Sequence, residues 1–123
     1  MVFQKSVFLL SDDRKVTFHN VTEEVKKAVA ESGIKTGVIN VSTPHTTCSV
    51  CTQELAFAEL HDEDARGCHN TDAHLRSQLI GRSETIAVID GEADLGSFGH
   101  VFLIDFDTTR QRQRKLRLTV MGE

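Results

Sequence analysis

The chain has 123 residues, 39% apolar and 26% charged, with a formal net charge of -4. This is the composition of a single soluble domain, spanning 1–123, that can bury roughly two thirds of its unfolded surface without staples. The negative balance excludes general attraction to nucleic acid, and the apolar runs are far shorter than the ~20 residues of a membrane-spanning helix. Three cysteines, an odd number, argue against a closed disulfide framework and for a reducing compartment. With no secretory-type leader after Met1, the expected location is cytoplasmic.

Val2 to Leu10 is β-favouring, Ser11 to Arg14 reads as a turn, and Lys15 to His19 alternates, so the two segments predict a hairpin. Asn20 stands three residues before Glu23, the spacing of a reciprocal helix cap. Val21, Val25, Ala28 and Val29 then recur at helical spacing, and Gly33 is the expected left-handed stop. Gly37 to Val41 predicts a strand that leads, through a bend at Ser42-Thr43-Pro44, into a second running from His45 to Thr52 and ending at Glu54. Alternation places His45, Thr47, Ser49 and Cys51 on one face and Thr46, Cys48, Val50 and Thr52 on the other.

Leu55 to Gly67 is acidic and reads as an exposed connection, with a possible helical turn through Ala56, Phe57 and Leu60. Asn70 can cap a helix with Leu75 and Leu79 on one face, stopped by Gly81. Thr85 to Ile89 is a β-branched strand closed by the turn pair Asp90-Gly91. Strands over His100 to Asp107 and Lys115 to Met121 follow, the last with Leu116, Leu118 and Val120 on one face. Two strands, a helix, two strands, a helix and three strands make an α+β fold.

Two polar clusters stand out, one around His45 and one at His69-Asn70-Thr71-Asp72-Ala73-His74, and they are expected to meet. His45 and His74, with Glu54, Asp72, His69 or His61, could ligate a divalent metal, since imidazole and carboxylate suit Zn, Mn or Ni; the alternative is a set of surface or hydrogen-bonded histidines. Cys48 and Cys51 are three apart on a strand, hence on opposite faces, which disfavours a redox pair and marks Cys48 as core. Arg110, Arg112, Arg114, Lys115 and Arg117 form a basic run, read as a solvated turn with a charged edge strand. Arg76 and Arg82 are single-residue candidates for an anion clamp. Gly96-Ser97-Phe98-Gly99 reads as a tight bend or a site wall.

Taken together, these motifs resemble the YjbQ-like family, also known as secondary thiamine-phosphate synthases. His45-Thr46-Thr47 through Glu54 is similar to the family's His-Thr-Thr strand ending in Glu. Asn70, Asp72, Ala73, His74 and Leu75 match its Asn-x-Asp-Ala-His-Leu helix start. Ser83, Ile86, Val88 and Gly91 match its next strand, while Arg110, Arg112 and Val120-Met121-Gly122-Glu123 match its ending. The chain departs from the pattern at Gly96-Ser97-Phe98-Gly99, where the family carries Gly-Thr-Trp-Gln, and in the short segment between Glu54 and Cys68.

The resemblance implies a seven-stranded, two-sheet β-sandwich buttressed by two helices, assembled as a homotrimer with the site near a subunit boundary. It also implies a metal-dependent transferase acting on a phosphorylated small molecule, with weak thiamine-phosphate synthase activity. In that scheme His45, Glu54, Asp72 and His74 are the catalytic set, and Thr46, Thr47, Asn70, Arg82 and Arg110 contact substrate. His45, His74 and His69 would hold a Zn, Mn, Ni or Mg ion. The competing expectations are a non-catalytic module binding a metal or anion, and a structural trimer with a vestigial site.

Overall fold

A computed structural model describes residues 1–55, 73, 76 and 79–123. In these the chain forms β1 (Val2–Leu10), β2 (Thr17–Asn20), α1 (Thr22–Ser32), β3 (Thr36–Ser42), β4 (Cys48–Gln53), β5 (Ser83–Ile89), β6 (Glu92–Ala93), β7 (His100–Asp105) and β8 (Gln113–Gly122). Each of the seven segments read as strands overlaps one, and the two-residue β6 is an addition, folded back on β5 through Asp90-Gly91. Both turn residues have positive φ, 52° and 80°, as a tight hairpin of this kind requires. Ala73, Arg76, Leu79 and Ile80 are helical, and Gly81 follows at φ 93°. The expected acidic connection and most of the expected second helix lie outside the described residues.

The strands divide into a five-stranded sheet, ordered β1-β8-β3-β5-β6, and a three-stranded sheet, ordered β2-β7-β4, all pairs antiparallel. The predicted β1–β2 hairpin is therefore incorrect. β1 pairs along its whole length with β8 and β2 pairs with β7, so Ser11 to Val16 carries the chain from one sheet to the other. Asp12 accommodates that crossing by accepting the Arg14 amide at 2.8 Å on its side chain, while its own amide donates to Thr17 Oγ1 at 2.9 Å.

Alternation decides what faces inward. Leu116, Leu118 and Val120 of β8 are fully buried, as are Ile39 and Val41 of β3 and Val101 and Leu103 of β7. With Cys48 and Val50 of β4 and Val25, Ala28 and Val29 of α1, they form one core to which both sheets contribute. Burying each such aliphatic chain contributes roughly 1.5–3 kcal/mol. The opposite face of the small sheet packs into a second cluster, where Cys51, Phe102 and Ile104 meet Val16, Phe106 and Ala73. Leu79, expected to share a helix face with Leu75, is 86% exposed, whereas Ala73 is buried.

Helix α1 ends as expected at Gly33, in the left-handed region at φ 70°. Its start differs from the predicted reciprocal cap. Val21 occupies the cap position without a side-chain bond, and Asn20 Oδ1 accepts from the Thr22 amide at 3.2 Å and from Thr22 Oγ1 at 2.6 Å. Among the described residues no helix is long and apolar enough to cross a membrane.

Candidate functional site

His45 lies three residues before β4, in the bend that joins it to β3, and is half buried. The backbone amide of Lys115 donates to its Nε2 at 3.0 Å, and its own amide reaches Thr43 Oγ1 at 3.4 Å. Thr43 Oγ1 donates to the Lys115 carbonyl at 2.8 Å, so two bonds join this bend to β8. A nitrogen that accepts an amide proton is unprotonated, so the neutral ring carries its hydrogen on Nδ1. Burial, and next the Arg114 charge, push the His45 pKa below 6.5; Asp105 opposes this, while Arg112 and Lys115 add to it. The ring is thus a neutral Nδ1–H donor in a positive field.

Beneath it lies a network that sequence reading missed. Arg114, only 3% exposed, donates from Nε to Asp105 Oδ2 at 2.6 Å and from Nη2 to Asp105 Oδ1 at 3.2 Å. The same Nη2 reaches Thr47 Oγ1 at 3.0 Å. Asp107 is fully buried; Arg112 Nη2 and Arg114 Nη2 both stand 3.7 Å from its Oδ2, near enough for ion pairing but beyond hydrogen-bond length. That oxygen and Arg112 Nε are buried polar atoms with no hydrogen-bond partner among the described residues. The basic run is a solvated turn at exposed Arg110, but its reading as a charged edge strand is incorrect. β8 lies between β1 and β3, and Arg114 sits in phase with Leu116 and Leu118 on its inward face.

The other sequence candidates separate. Thr47 is 4% exposed and committed to Arg114 and, through its carbonyl, to the Phe106 amide, so it serves the fold and is not open to substrate. Thr46 is exposed beside it. Ser49 and Cys51, expected on a polar site face, are buried, with Cys51 in the second apolar cluster. Arg82 is exposed and donates from Nη1 to the Pro44 carbonyl at 3.2 Å, which brings a cation to the His45 bend. Arg110 is exposed on the turn between β7 and β8. Glu54 is also exposed but stands beyond the far end of β4, whose five residue steps span roughly 17 Å. His45 and Glu54 of one chain are therefore not neighbours. His61, His69, Asn70, Asp72 and His74 lie outside the described residues.

Among the described residues, the donors do not fit a divalent metal. A metal on His45 Nε2 would displace the Lys115 amide, and a metal on Nδ1 would force a proton onto Nε2 against that amide. No three His, Cys, Asp or Glu side chains within the described part converge to hold an ion. The thiols are poor ligands too: burial, and next the charge of Asp105, push Cys48 up to about 12, and burial, then Glu84, pushes Cys51 up to about 11.

Two antiparallel sheets with α1 against a shared core, and a histidine-bearing bend tied to the strand beside a buried Arg–Asp network, define a small α+β domain of a recognisable kind. The family model described as UPF0047 protein YjbQ-like matches residues 6–64 and 55–123. The chain belongs to that family. A UPF0047 protein of Methanothermobacter thermautotrophicus is 32% identical, over 93% of this chain and 89% of its own length. One from Synechocystis is 34% identical, over 87% and 84%. A solved structure from C. acetobutylicum, 30% identical, superposes with a TM-score of 0.78 over 98% of this chain and 99% of its own. A YbjQ-like protein of unknown function from Sulfolobus solfataricus, 21% identical, has the same fold, with a TM-score of 0.82 over 100% and 99% of the two chains.

Proposed function

We propose that the His45 bend receives the phosphate of a phosphorylated small molecule, and that the protein is a transferase acting on such a substrate. The observation that carries this reading is the electrostatic setting of His45. Arg112, Arg114 and Lys115 all disfavour a further positive charge there, which is the condition under which an anion is welcomed. Arg82, on the Pro44 carbonyl, adds a fourth cation nearby. His45 Nδ1–H and the Arg112 and Arg82 guanidiniums would hold phosphate oxygens, and on a departing pyrophosphate they would stabilise the charge that develops. Thiamine-phosphate synthesis, as a weak activity, is one reaction of this class. Because His45 and Glu54 lie at opposite ends of β4, a site using both draws them from two copies of the chain, in keeping with a homotrimer. The outward face of the large sheet, with exposed Val2, Phe8, Leu10, Met121 and Ile89, offers apolar surface for that assembly. Reduced, buried cysteines fit a cytoplasmic protein.

The test is calorimetric titration with pyrophosphate and with inorganic phosphate, on wild type and on Arg82→Gln and Arg112→Gln, with sedimentation to report assembly. Saturable binding weakened about tenfold or more by either substitution supports the site; absence of saturable binding by either anion overturns it. Binding without pyrophosphate release from any diphosphate ester would favour the second reading, a non-catalytic anion-binding module, which the same cations support.

A further inference from the structure

A cleft of about 790 Å³ opens at the other end of β7 from His45, between the start of α1 and the segment Gly91 to His100. That volume is within the roughly 300–1,000 Å³ of small-molecule sites. His100 lines it, with its Nδ1 3.0 Å from the Phe98 carbonyl. A carbonyl only accepts, so the neutral ring places its hydrogen on Nδ1 and leaves Nε2 as an acceptor. Asn20, also in the wall, has its Oδ1 occupied by Thr22, which leaves the Nδ2 hydrogens as donors. The remaining charged groups divide by wall: Lys26 with Glu23 on α1, and Glu92 on β6. None of these three has an ion-pair partner among the described residues. The bend itself is held by backbone. The Gly99 amide donates to the Leu95 carbonyl at 3.1 Å, and a Cβ on Gly99 would collide with that oxygen.

The cleft thus offers donors in Lys26 and Asn20 Nδ2 and acceptors in Glu23, Glu92 and His100 Nε2, a set that suits a ligand with one charge of each sign. We propose that this cleft binds a small zwitterion of the α-amino-acid class, its carboxylate toward Lys26 and Asn20 Nδ2 and its ammonium toward Glu92 and His100 Nε2. The assignment is independent of the phosphate site, because the two lie at opposite ends of the same strand.

The experiment is an NMR titration of backbone amides and imidazoles with each proteinogenic amino acid in turn, and with methylamine and acetate as single-charge probes. At least one amino acid should give saturable shifts at His100, Gly96 and Gly99 that neither single-charge probe reproduces. Glu92→Gln, His100→Ala and Lys26→Gln should each raise its Kd about tenfold, the scale of one charge-assisted hydrogen bond, while His45→Ala leaves it unchanged. These side chains lie outside the buried core, so the variants retain the fold. No saturable shift with any amino acid, equal saturation by methylamine or acetate, or unchanged Kd in all three cleft variants would overturn the proposal.

Discussion

Arg114 and Asp105 meet as a two-bond pair in the interior, Nε to Oδ2 at 2.6 Å and Nη2 to Oδ1 at 3.2 Å, with neither side chain more than 3% exposed. The pair joins the two sheets, since Asp105 ends β7 and Arg114 is the second residue of β8. Through the next residue it also steadies the Lys115 amide that holds His45.

Asp105→Ala removes both short bonds of a buried guanidinium and leaves it only Asp107, 3.7 Å away, as counter-charge, which should cost about 3–5 kcal/mol in urea unfolding. Asp105→Leu combined with Arg114→Met removes both charges together and should cost much less. If the single and double variants unfold at the same urea concentration, the pair is not an interdependent unit.

His45 should titrate below 6.5 in the native protein, a midpoint that imidazole NMR reads directly. Above 6.5 the ring is neutral in folded and unfolded chains alike and gives no pH dependence. As pH falls through 6.5 the unfolded chain takes up the proton first, so the native state loses stability until its own lower midpoint is passed. His19, lowered mainly by burial against an opposing pull from Asp105, acts in the same direction. Unfolding free energies on either side of pH 6.5 should therefore fall toward acid, with a smaller slope in His45→Gln.

Asp107 adds a second acid-labile contribution at lower pH. Burial works to raise its carboxyl, but the Thr109 hydroxyl and amide, then Arg112 and Arg114, outweigh it and hold the group below 3.8. Its stabilisation is complete above 3.8 and is lost as pH falls through the depressed native value. Asp107→Asn should flatten the stability profile in that window and leave the His45 window unaltered.

Cys48 and Cys51, pushed up to about 12 and about 11, should resist alkylation in the native protein near neutral pH and react only after denaturation. Peptide mapping after iodoacetamide treatment reads each thiol separately. Rapid native labelling of either would contradict the burial described here.

Gly37 faces Gly122 across β3 and β8, and a Cβ on Gly37 would be driven into the Met121 carbonyl oxygen. Gly37→Ala should cost about 1–3 kcal/mol by forcing the strands apart, measured by thermal unfolding. A neutral result would mean that the two strands can separate there at no cost.

Period-two alternation made most of the strands legible, and the same rule contained the network that was overlooked. Arg114 is in phase with Leu116, Leu118 and Val120, and Asp105 with Val101 and Leu103, so both point inward if alternation is followed past the last apolar residue. Reading the run by charge hid this, because an arginine is ordinarily solvated and only its pairing, which is set by the fold, permits burial. The β1–β2 hairpin failed for a related reason: proximity in sequence favours local pairing, whereas the burial of β1 against β8 is a long-range choice. The Gly33 stop and the Asp90-Gly91 turn were readable because each depends on local backbone geometry alone. At the site, His45 and Arg82 were legible as chemistry, but the separation of His45 from Glu54 follows from the extended length of β4, which residue identities do not report.

The position of β8 also sets an order of events. It is the strand that connects β1 to the rest of the large sheet, and every one of its register partners in β1 lies more than a hundred residues away along the chain. Until residues 113–122 insert, β1 has no strand partner among the described residues, and the inward faces of β1 and β3 have no third strand between them. Folding of this domain is thus expected to be slow and cooperative, with loop-closure entropy concentrated in one late step and an exposed strand edge while that step is pending.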